Sequence, residues 1–405
     1  MNDGYVFQKE LGTNPPSLQG SGRKTGLLLR LIRACQPISR TEIANKLGVD
    51  KSTITDYTKP LIKQGILAEQ SIEGKGHGRK PAGLSFLDRD EFFIGVNLGV
   101  RTSQVGMGTL TGYFDEEIDF LTPSDPDTAI RIAKDAVSSI LEKNKGKKCR
   151  VIGISVPGLP NPSRDKLLYA PNLGWRNLDL GQIFKVNEHV RVVVENDATA
   201  AAMFEVRTKI KNYEDGLTRN FVLVRSGTGI GVGLVIGSEV FRGTGATRGL
   251  AGEFGHMTIA AGGRQCICGN RGCWEKYASA SSAASLYIGD RPLRPNETLP
   301  RFPDIVAKAE NGELRAQRTL EKIGDYLGIG VANVIMGIGI PRVIISGRLV
   351  HGWNFIEKPL VAAINRSVVG NLEGWSVAAG DPAGSALGGA IEAAVEYHFA
   401  NDIKF

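Results

Sequence analysis

Apolar residues at helical spacing predict three short helices near the start of the chain. The first covers 25–34, where leucines and an isoleucine share one face. Ser39 and Glu42 form a capping-box pattern that begins the second helix, and Gly48 is placed to end it. The third helix opens at Lys51. Two helices joined by a short glycine turn are the pattern of a helix-turn-helix.

A hairpin pattern follows the third helix. Apolar residues over 66–69 and 82–87 predict two strands, and the glycine-rich basic segment 73–81 between them predicts an exposed tip. Together with the helices, this predicts a winged helix-turn-helix domain over 21–88. We expect the third helix to kink or end early at Pro60, because proline lacks the N–H group that helices need.

From residue 89 onward, the pattern changes to buried strands that end in glycine turns or polar residues. The segments with this pattern are 92–100, 103–110, 151–158, 192–197, 221–233 and 343–347. A helix of small residues is predicted late in the chain, over 384–394. Two rounds of strands and helices with polar residues at strand ends predict a two-lobed α/β body with a cleft, over 89–405.

Charge is distributed unevenly between these two parts. The chain carries a net charge of +7, and residues 1–85 hold 13 Lys and Arg against 7 Asp and Glu, which leaves the rest near neutral. A small basic domain on a near-neutral body predicts contact with nucleic acid. The alternative is a helical interaction module that never contacts DNA.

The candidate DNA-contacting residues lie on the third helix and the hairpin tip. Short polar side chains at the front of a recognition helix can approach base edges and phosphates. Basic side chains on a tip can enter a minor groove, where narrow A·T-rich tracts attract cations. The candidates are Lys51, Ser52, Thr53, Thr55, Tyr57, Arg79 and Lys80.

Composition and the terminal segment predict a cytoplasmic protein with no membrane partner. No apolar run reaches the length of a bilayer span, and the first residues lack the pattern of a signal peptide. The chain has 5 cysteines, three of them in one short window, so a disulfide framework is not expected. Residues 1–20, rich in glycine and proline, predict a mobile arm.

One short segment concentrates the residues that bind metals. The four candidate ligands are His256, Cys266, Cys268 and Cys273. Thiolates and an imidazole are the ligands of a structural zinc site, and Gly269 and Gly272 allow the tight turns that bring them together. The segment 256–273 therefore predicts a loop that binds Zn²⁺, with Glu253 and Glu275 on either side. The alternative is a set of buried cysteines beside a hydrogen-bonded histidine.

These residues resemble the ROK family, which contains bacterial sugar kinases and sugar-responsive repressors on an actin-like, hexokinase-like ATPase fold. The resemblance rests on the Cys/His loop and on the motifs at 172–175, 195–197 and 227–231, and it covers about residues 90–398. A winged helix ahead of such a body is the arrangement of the repressor branch, which includes regulators linked to xylose and N-acetylglucosamine.

The resemblance implies a sugar site. In the family's kinases, the residues at the positions of Asn196 and Asp197 bind sugar hydroxyls, and the aspartate is the general base. One imidazole nitrogen of His256 would face the zinc ion and the other would face the sugar. The implied sugar-binding residues are Asn172, Asn196, Asp197, Glu253, His256 and Glu275.

The nucleotide-binding residues depart from the family's kinase pattern. Asn97 stands where the kinases have an aspartate that helps to hold Mg²⁺. Arg101 and Arg348 place large cations where the kinases have small residues, although the glycine-rich turn at 227–231 is intact. We therefore expect no residue of this chain to be catalytic, and Asp197 to be a vestigial general base.

The sequence therefore predicts a sugar-responsive DNA-binding transcriptional regulator, a repressor of sugar-utilisation genes that is released by a neutral sugar. It is expected to act as a homodimer or homotetramer, because a single winged helix makes too few base contacts for useful specificity. Two alternatives remain. One is a ROK sugar kinase with an appended DNA-binding domain, and the other is a module whose partner is another protein.

Overall fold

A computed structural model of the chain describes residues 21–71, 82–87, 89–112, 114–210, 219–244, 249–289, 298–380 and 386–403. Its contacts separate two compact units, which meet between Phe86 and Leu87. The predicted arm over 1–20 and the hairpin tip with Arg79 and Lys80 lie outside the described residues. Within the described residues, no helix is long and apolar enough to cross a membrane.

The first unit has the helices and strands of a winged helix. Its elements are α1 (Ser21–Cys35), β1 (Ile38–Ser39), α2 (Arg40–Leu47), α3 (Lys51–Lys63), β2 (Leu67–Ser71) and β3 (Ala82–Phe86). The strands form an antiparallel sheet in the order β1-β3-β2. Leu31, Ile43 and Leu61 are fully buried, one from each helix. The winged helix-turn-helix prediction is therefore confirmed in these residues.

Local signals in the sequence set most of the helix ends in this unit. The Ser39 side chain accepts from the Glu42 N–H, and the Glu42 carboxylate accepts from the Ser39 N–H, which is the predicted capping box. Gly48 ends α2 with a left-handed φ of 65°. The expected early end at Pro60 is wrong, because α3 continues to Lys63. Buried Leu61 holds this last turn in the core although proline removes one hydrogen bond.

The helices and strands described in the body fall into two halves along the chain. In the first half these are β4 (Glu91–Asn97), β5 (Thr102–Gly108), β6 (Phe114–Leu121), α4 (Pro126–Lys143), β7 (Lys148–Val156), β8 (Leu159–Pro160), β9 (Leu167–Ala170), β10 (Trp175–Leu178), α5 (Leu180–Ile183), β11 (Arg191–Asn196) and α6 (Asp197–Lys209). In the second half they are β12 (Asn220–Ser226), β13 (Ile230–Ile236), β14 (Glu239–Phe241), α7 (Glu275–Ala278), α8 (Ser282–Ile288), α9 (Phe302–Glu310), α10 (Leu314–Ile338), β15 (Arg342–Gly347), α11 (Trp353–Asn365), β16 (Ser376–Ala379) and α12 (Leu387–Asn401).

Two five-stranded sheets form the centres of the two lobes. Their orders are β11-β7-β4-β5-β6 and β14-β13-β12-β15-β16. In the first sheet β4, β7 and β11 are parallel, and in the second β12, β15 and β16 are parallel. The carboxyl ends of parallel strands share one edge of a sheet, where α/β proteins bind ligands. Asn97 ends β4 and Asn196 ends β11 at this edge of the first sheet, and Asp197 follows at the start of α6.

Small residues let two helices pack tightly against the sheets. Helix α12 packs on β4 and β7, while α6 packs on β13 and on α12. A Cβ atom at Gly153 would lie 2.1 Å from the Ala390 carbonyl oxygen, and one at Gly389 would lie 2.6 Å from the backbone of Ala200. The two helices therefore connect the two sheets, and they fix the position of Asp197 at the start of α6.

The glycine-rich turn predicted over 227–231 is shorter in the structure. Strand β13 begins at Ile230 and pairs along β12. Gly231 and Gly233 belong to this strand, and their missing side chains leave room for Ala198 and Ala202 of α6, 2.7 and 2.6 Å from the Cβ positions. These two glycines thus serve helix packing, and only 227–229 form the turn.

Candidate functional site

The four predicted metal ligands come together. One donor atom from each of His256, Cys266, Cys268 and Cys273 lies within 4.8 Å of all the others. The His256 Nδ1 atom is 3.6 Å from the Cys266 sulfur, and the sulfurs of Cys268 and Cys273 are 3.7 Å apart. Burial raises the pKa of the Cys266 thiol, and a bound cation would oppose this by favouring the thiolate. The cluster can hold a metal ion.

The backbone around the cluster explains how the ligands converge. His256 ends a 3₁₀ turn over Glu253–His256, and Gly269 and Gly272 adopt left-handed φ angles of 95° and 80°. A Cβ atom at Gly272 would lie 1.8 Å from the Ala260 carbonyl oxygen, so only glycine fits there. The loop is therefore folded by the glycines that the sequence places between its cysteines.

Trp274 anchors the Cys/His loop over 256–273 to the body, a contact that sequence reasoning missed. The side chain is fully buried, and its indole N–H donates to the Tyr326 carbonyl oxygen at 2.9 Å. It packs directly against α10, where a Cβ atom at Gly330 would lie 2.0 Å from the indole ring. A tryptophan after the last cysteine was the available signal, but its partner lies more than fifty positions further along the chain.

His256 lies between the thiols and the carboxylates. Its Nε2 atom is 3.8 Å from the Glu253 carboxylate, and its Nδ1 atom is 3.8 Å from the Glu275 carboxylate. Burial raises the pKa of Glu253, and the nearby charges of Asp197 and Glu275 add to the rise while His256 opposes it. Three carboxylates and one imidazole therefore share one region of the cleft.

The glycine turn and the start of β13 bring three of the predicted sugar-site residues together. A Cβ atom at Gly229 would lie 2.4 Å from a Glu275 carboxylate oxygen and 3.1 Å from the Asn172 amide nitrogen. One at Gly231 would lie 3.7 Å from an Asp197 carboxylate oxygen. The structure thus places Asn172, Asp197 and Glu275 around a single glycine-lined wall.

Asn196 is occupied mainly by the backbone. Its side-chain oxygen accepts hydrogen bonds from the N–H groups of Ala198 and Thr199, which makes it the N-cap of α6. Its amide nitrogen donates to the Gly158 carbonyl oxygen at 3.0 Å. Asn196 therefore orders the strand-to-helix junction that presents Asp197, and one amide hydrogen remains available for a ligand.

A buried charge network lies beneath this junction. The Glu195 carboxylate is 2% exposed and pairs with Arg164 and Arg242, both at 2.8 Å. Burial alone would raise the pKa of Glu195, but the two arginine charges lower it overall. These residues line a small, open pocket that also contacts Asn196. The network holds β11 against the loops that follow β8 and β14.

Three arginine side chains lie near the carboxyl ends of β4, β12 and β15. The Arg225 Nε atom donates to the Asp197 carboxylate at 3.2 Å, a pairing between two residues that no local sequence pattern connects. Burial lowers the pKa of Arg348, and the charges of Arg101 and Arg225 lower it further. Asn97 is 5% exposed and its amide donates to Gln104.

The predicted DNA-contacting residues on α3 differ in exposure. Lys51 and Ser52 are exposed, and the remaining candidates Thr53, Thr55 and Tyr57 are half-buried. The Thr55 hydroxyl donates to the Lys51 carbonyl oxygen at 2.9 Å. Lys59 and Lys63 are also exposed on this helix. Sequence reasoning missed them, although their spacing from Lys51 and Thr55 is that of one helix face.

Two lobes joined by α6 and α12, with carboxylates and a Cys/His loop at the strand ends, define a protein of the two-lobed sugar-kinase-like class that carries a winged helix. Residues 93–394 match the ROK family, and residues 23–68 match the winged helix-turn-helix DNA-binding family. The chain belongs to the ROK family.

Similar proteins include both regulators and kinases. The xylose repressor of Bacillus subtilis (strain 168) is 29% identical over 350 residues, which cover 85% of this chain and 87% of the repressor. A glucokinase of Streptomyces coelicolor is 30% identical over 297 residues, 68% of this chain and 88% of the kinase. The crystal structure of a ROK family transcriptional regulator, a homologue of the E. coli MLC protein, has a TM-score of 0.73 at 23% identity and covers 94% of this chain and 97% of that regulator.

Proposed function

We propose that the protein is a sugar-responsive DNA-binding transcriptional regulator that represses genes for sugar use. The observation that carries this proposal is the presence in one chain of a winged helix and of a cleft where carboxylates surround a Cys/His loop. The similarity to the xylose repressor, which extends over most of the chain, supports it. A sugar can release DNA only as far as it binds the DNA-free and DNA-bound states differently.

The cleft suits a polyhydroxylated ligand. Asp197, Glu253 and Glu275 offer carboxylate oxygens that accept hydrogen bonds from hydroxyl groups, and Asn172 offers an amide that donates. The missing side chain at Gly229 lets Glu275 and Asn172 approach the turn closely. We assign sugar binding to the full predicted set of Asn172, Asn196, Asp197, Glu253, His256 and Glu275.

We further propose that the metal is zinc. Tetrahedral zinc, with Zn–S bonds of about 2.3 Å and Zn–N bonds of about 2.0 Å, separates two sulfurs by about 3.8 Å and a sulfur from a nitrogen by about 3.5 Å. The measured separations of 3.7 and 3.6 Å fit this geometry. With Nδ1 of His256 directed at the metal, Nε2 is left to face Glu253 and the sugar.

A kinase activity is the second candidate function, favoured by the similarity to the glucokinase of Streptomyces coelicolor over the body. Two observations argue against kinase activity. Asp197 pairs with Arg225, so the carboxylate that would accept the hydroxyl proton is already held by a cation. Asn97 supplies no charge for Mg²⁺ at the end of β4. We therefore propose that the body binds sugar without transferring phosphate.

We propose that operator DNA is bound by a homodimer or homotetramer, and that Lys51, Ser52, Thr53, Thr55 and Tyr57 enter the major groove. Two copies would double the number of base contacts and match a palindromic site. Exposed Lys59 and Lys63 add cations that can contact phosphates.

A thermal-shift panel of sugars and ATP-Mg²⁺, run on the full chain, tests the function. A ligand that binds the native state raises the melting temperature by mass action. We expect one sugar to raise it and ATP to leave it unchanged, and the same sugar to weaken binding to an operator selected from random duplex DNA by at least tenfold. Asp197→Asn should abolish the sugar shift, whereas Asp135→Asn, on the exposed face of α4, should keep it.

Phosphorylation of any sugar by ATP would instead establish the kinase, and absence of a response to every sugar would refute the regulator. Zinc is tested separately by metal analysis of Cys268→Ser, since Cys268 is exposed and its loss removes no packing. The variant should lose stoichiometric zinc and respond weakly to the sugar, while Cys35→Ser in the winged helix should retain both. A full metal content in Cys268→Ser would show that the ligand assignment is wrong.

A further inference from the structure

Three arginines gather where the parallel strands of the two sheets end. Arg225 lies at the end of β12, and Arg348 follows β15, whose last residue Gly347 pairs with Ser226. Arg101 lies in the turn between β4 and β5, beside the carboxyl end of β4. The ion pair between Arg225 and Asp197 joins the edges of the two sheets. The arginines therefore share the cleft with the proposed sugar site.

The positive charge in this region exceeds the negative charge that faces it. Burial and the charges of Arg101 and Arg225 all lower the pKa of Arg348, and no carboxylate counteracts them. Within the part of the chain that the structure describes, neither Arg101 nor Arg348 forms an ion pair. Like charges held together in a partly buried site favour binding of an anion, because the anion removes their mutual repulsion.

A buried hydroxyl beside the arginines provides an independent observation. The Ser346 side chain is fully buried, and its oxygen has no hydrogen-bond partner. Ser346 pairs with Arg225 across the parallel strands, so the two side chains leave the sheet on the same face. A buried hydroxyl without a partner is costly, and an oxyanion held by the arginines is an acceptor that could relieve it.

We propose that Arg101, Arg225 and Arg348 form a phosphoryl-binding site, and that the effector of this protein is a phosphorylated sugar. The inference rests on the proposed sugar-binding function and replaces its neutral ligand by an anionic one. A sugar whose hydroxyl group contacts Asp197 also has that hydroxyl beside Arg225, because Arg225 contacts Asp197. A phosphate at this position lies among guanidinium groups, whose planar N–H pairs match phosphate oxygens.

Calorimetric titration of the full chain tests the site. The probes are glucose, mannose and N-acetylglucosamine, the 6-phosphate of each, inorganic phosphate and ADP. We expect one 6-phosphate to bind at least tenfold more tightly than its free sugar. Arg348→Gln should reduce that preference by roughly 10- to 100-fold, the effect of losing a charged hydrogen-bond donor. Arg131→Gln, an exposed arginine on α4, is the matched control and should retain the preference.

Each outcome decides one question. One result is that inorganic phosphate or ADP binds through Arg348 while no sugar phosphate binds more tightly than its free sugar. This result would support the phosphoryl site and would show that its ligand is not a phosphorylated sugar. If no phosphorylated probe binds more weakly to Arg348→Gln or to Arg101→Gln than to the wild type, the site does not exist. In that case, release of DNA by a free sugar would still support the proposed regulatory function. If no sugar, free or phosphorylated, released DNA, the proposed function would be wrong as well.

Discussion

Replacing Glu195 with glutamine tests whether buried charge holds the body together beneath the sugar site. The Glu195 carboxylate accepts from Arg242 Nε at 2.9 Å and pairs with Arg164 at 2.8 Å, and 2% of the residue is exposed. A glutamine side chain has no charge to balance either arginine. Removing one partner of a buried ion pair costs about 3–5 kcal/mol, a large part of the roughly 5–15 kcal/mol that stabilises a typical domain.

The pH dependence of unfolding provides a second measurement on the same residue. Burial alone would raise the pKa of Glu195, but the neighbouring arginines lower it overall. A carboxyl group with a depressed pKa stabilises the fold above its unfolded pKa of about 4.3, and this stabilisation is lost as the pH falls through the folded pKa. The wild type should lose this contribution on acidification, and Glu195→Gln should have lost it already at pH 7.

Urea unfolding followed by tryptophan fluorescence measures the effect in the body alone, because all 4 tryptophans lie after residue 89. Glu195→Gln should lower the free energy of unfolding by the amount given above and should weaken sugar binding through the adjoining Asn196. The control is Glu188→Gln, whose carboxylate pairs with Lys185 while 82% of its side chain stays exposed, and it should change the unfolding midpoint little. A Glu195→Gln protein within 1 kcal/mol (about fivefold in the unfolding constant) of the wild type would refute the reasoning.

Three further changes probe the winged helix and the metal loop. Ser39→Ala removes the capping box of α2 and should destabilise the first unit by about 1 kcal/mol, seen as earlier amide hydrogen exchange in α2 than in the wild type. Lys51→Ala should weaken binding to all DNA sequences alike and reduce the salt slope by about 1 if Lys51 contacts a phosphate; an unchanged slope contradicts that contact. In an exposed helix, a change from glycine to alanine is stabilising. Gly330→Ala should instead destabilise the body by about 1–3 kcal/mol, because the new Cβ would lie 2.0 Å from the Trp274 ring. A variant more stable than the wild type would disprove this packing.

Features determined by neighbouring residues could be predicted from the sequence. The capping box at Ser39 and Glu42 and the glycine end of α2 at Gly48 depend on hydrogen bonds within one turn of backbone. The metal cluster is also local, because its ligands from His256 to Cys273 belong to one loop whose glycines allow the required turns. The spacing of these residues in the sequence was therefore enough to predict which of them come together.

Features that depend on distant partners could not be predicted. The two-residue strand β1 exists because Ile38 pairs with Leu84 of β3. In the sequence, α2, α3 and β2 all lie between these two residues. The helical end at Pro60 was misjudged because burial of Leu61, a tertiary effect, outweighs the local cost of proline. Gly231 is assigned to the turn by the sequence pattern because nothing in its own segment shows that α6 packs on it.

The pairing of Arg225 with Asp197 supports the proposal that the body binds sugar without transferring phosphate. The resemblance to the family's kinases places Asp197 at the position of their general base. A general base must be free to accept a proton from the substrate hydroxyl, whereas the Asp197 carboxylate already accepts a hydrogen bond from a guanidinium. The arginine that makes this contact is 28 positions away, near the end of β12. In the proposed phosphoryl-binding site the same arginine joins Arg101 and Arg348, whose fixed positive charge would hold an anion where a kinase would need a metal ion and a free carboxylate to transfer one.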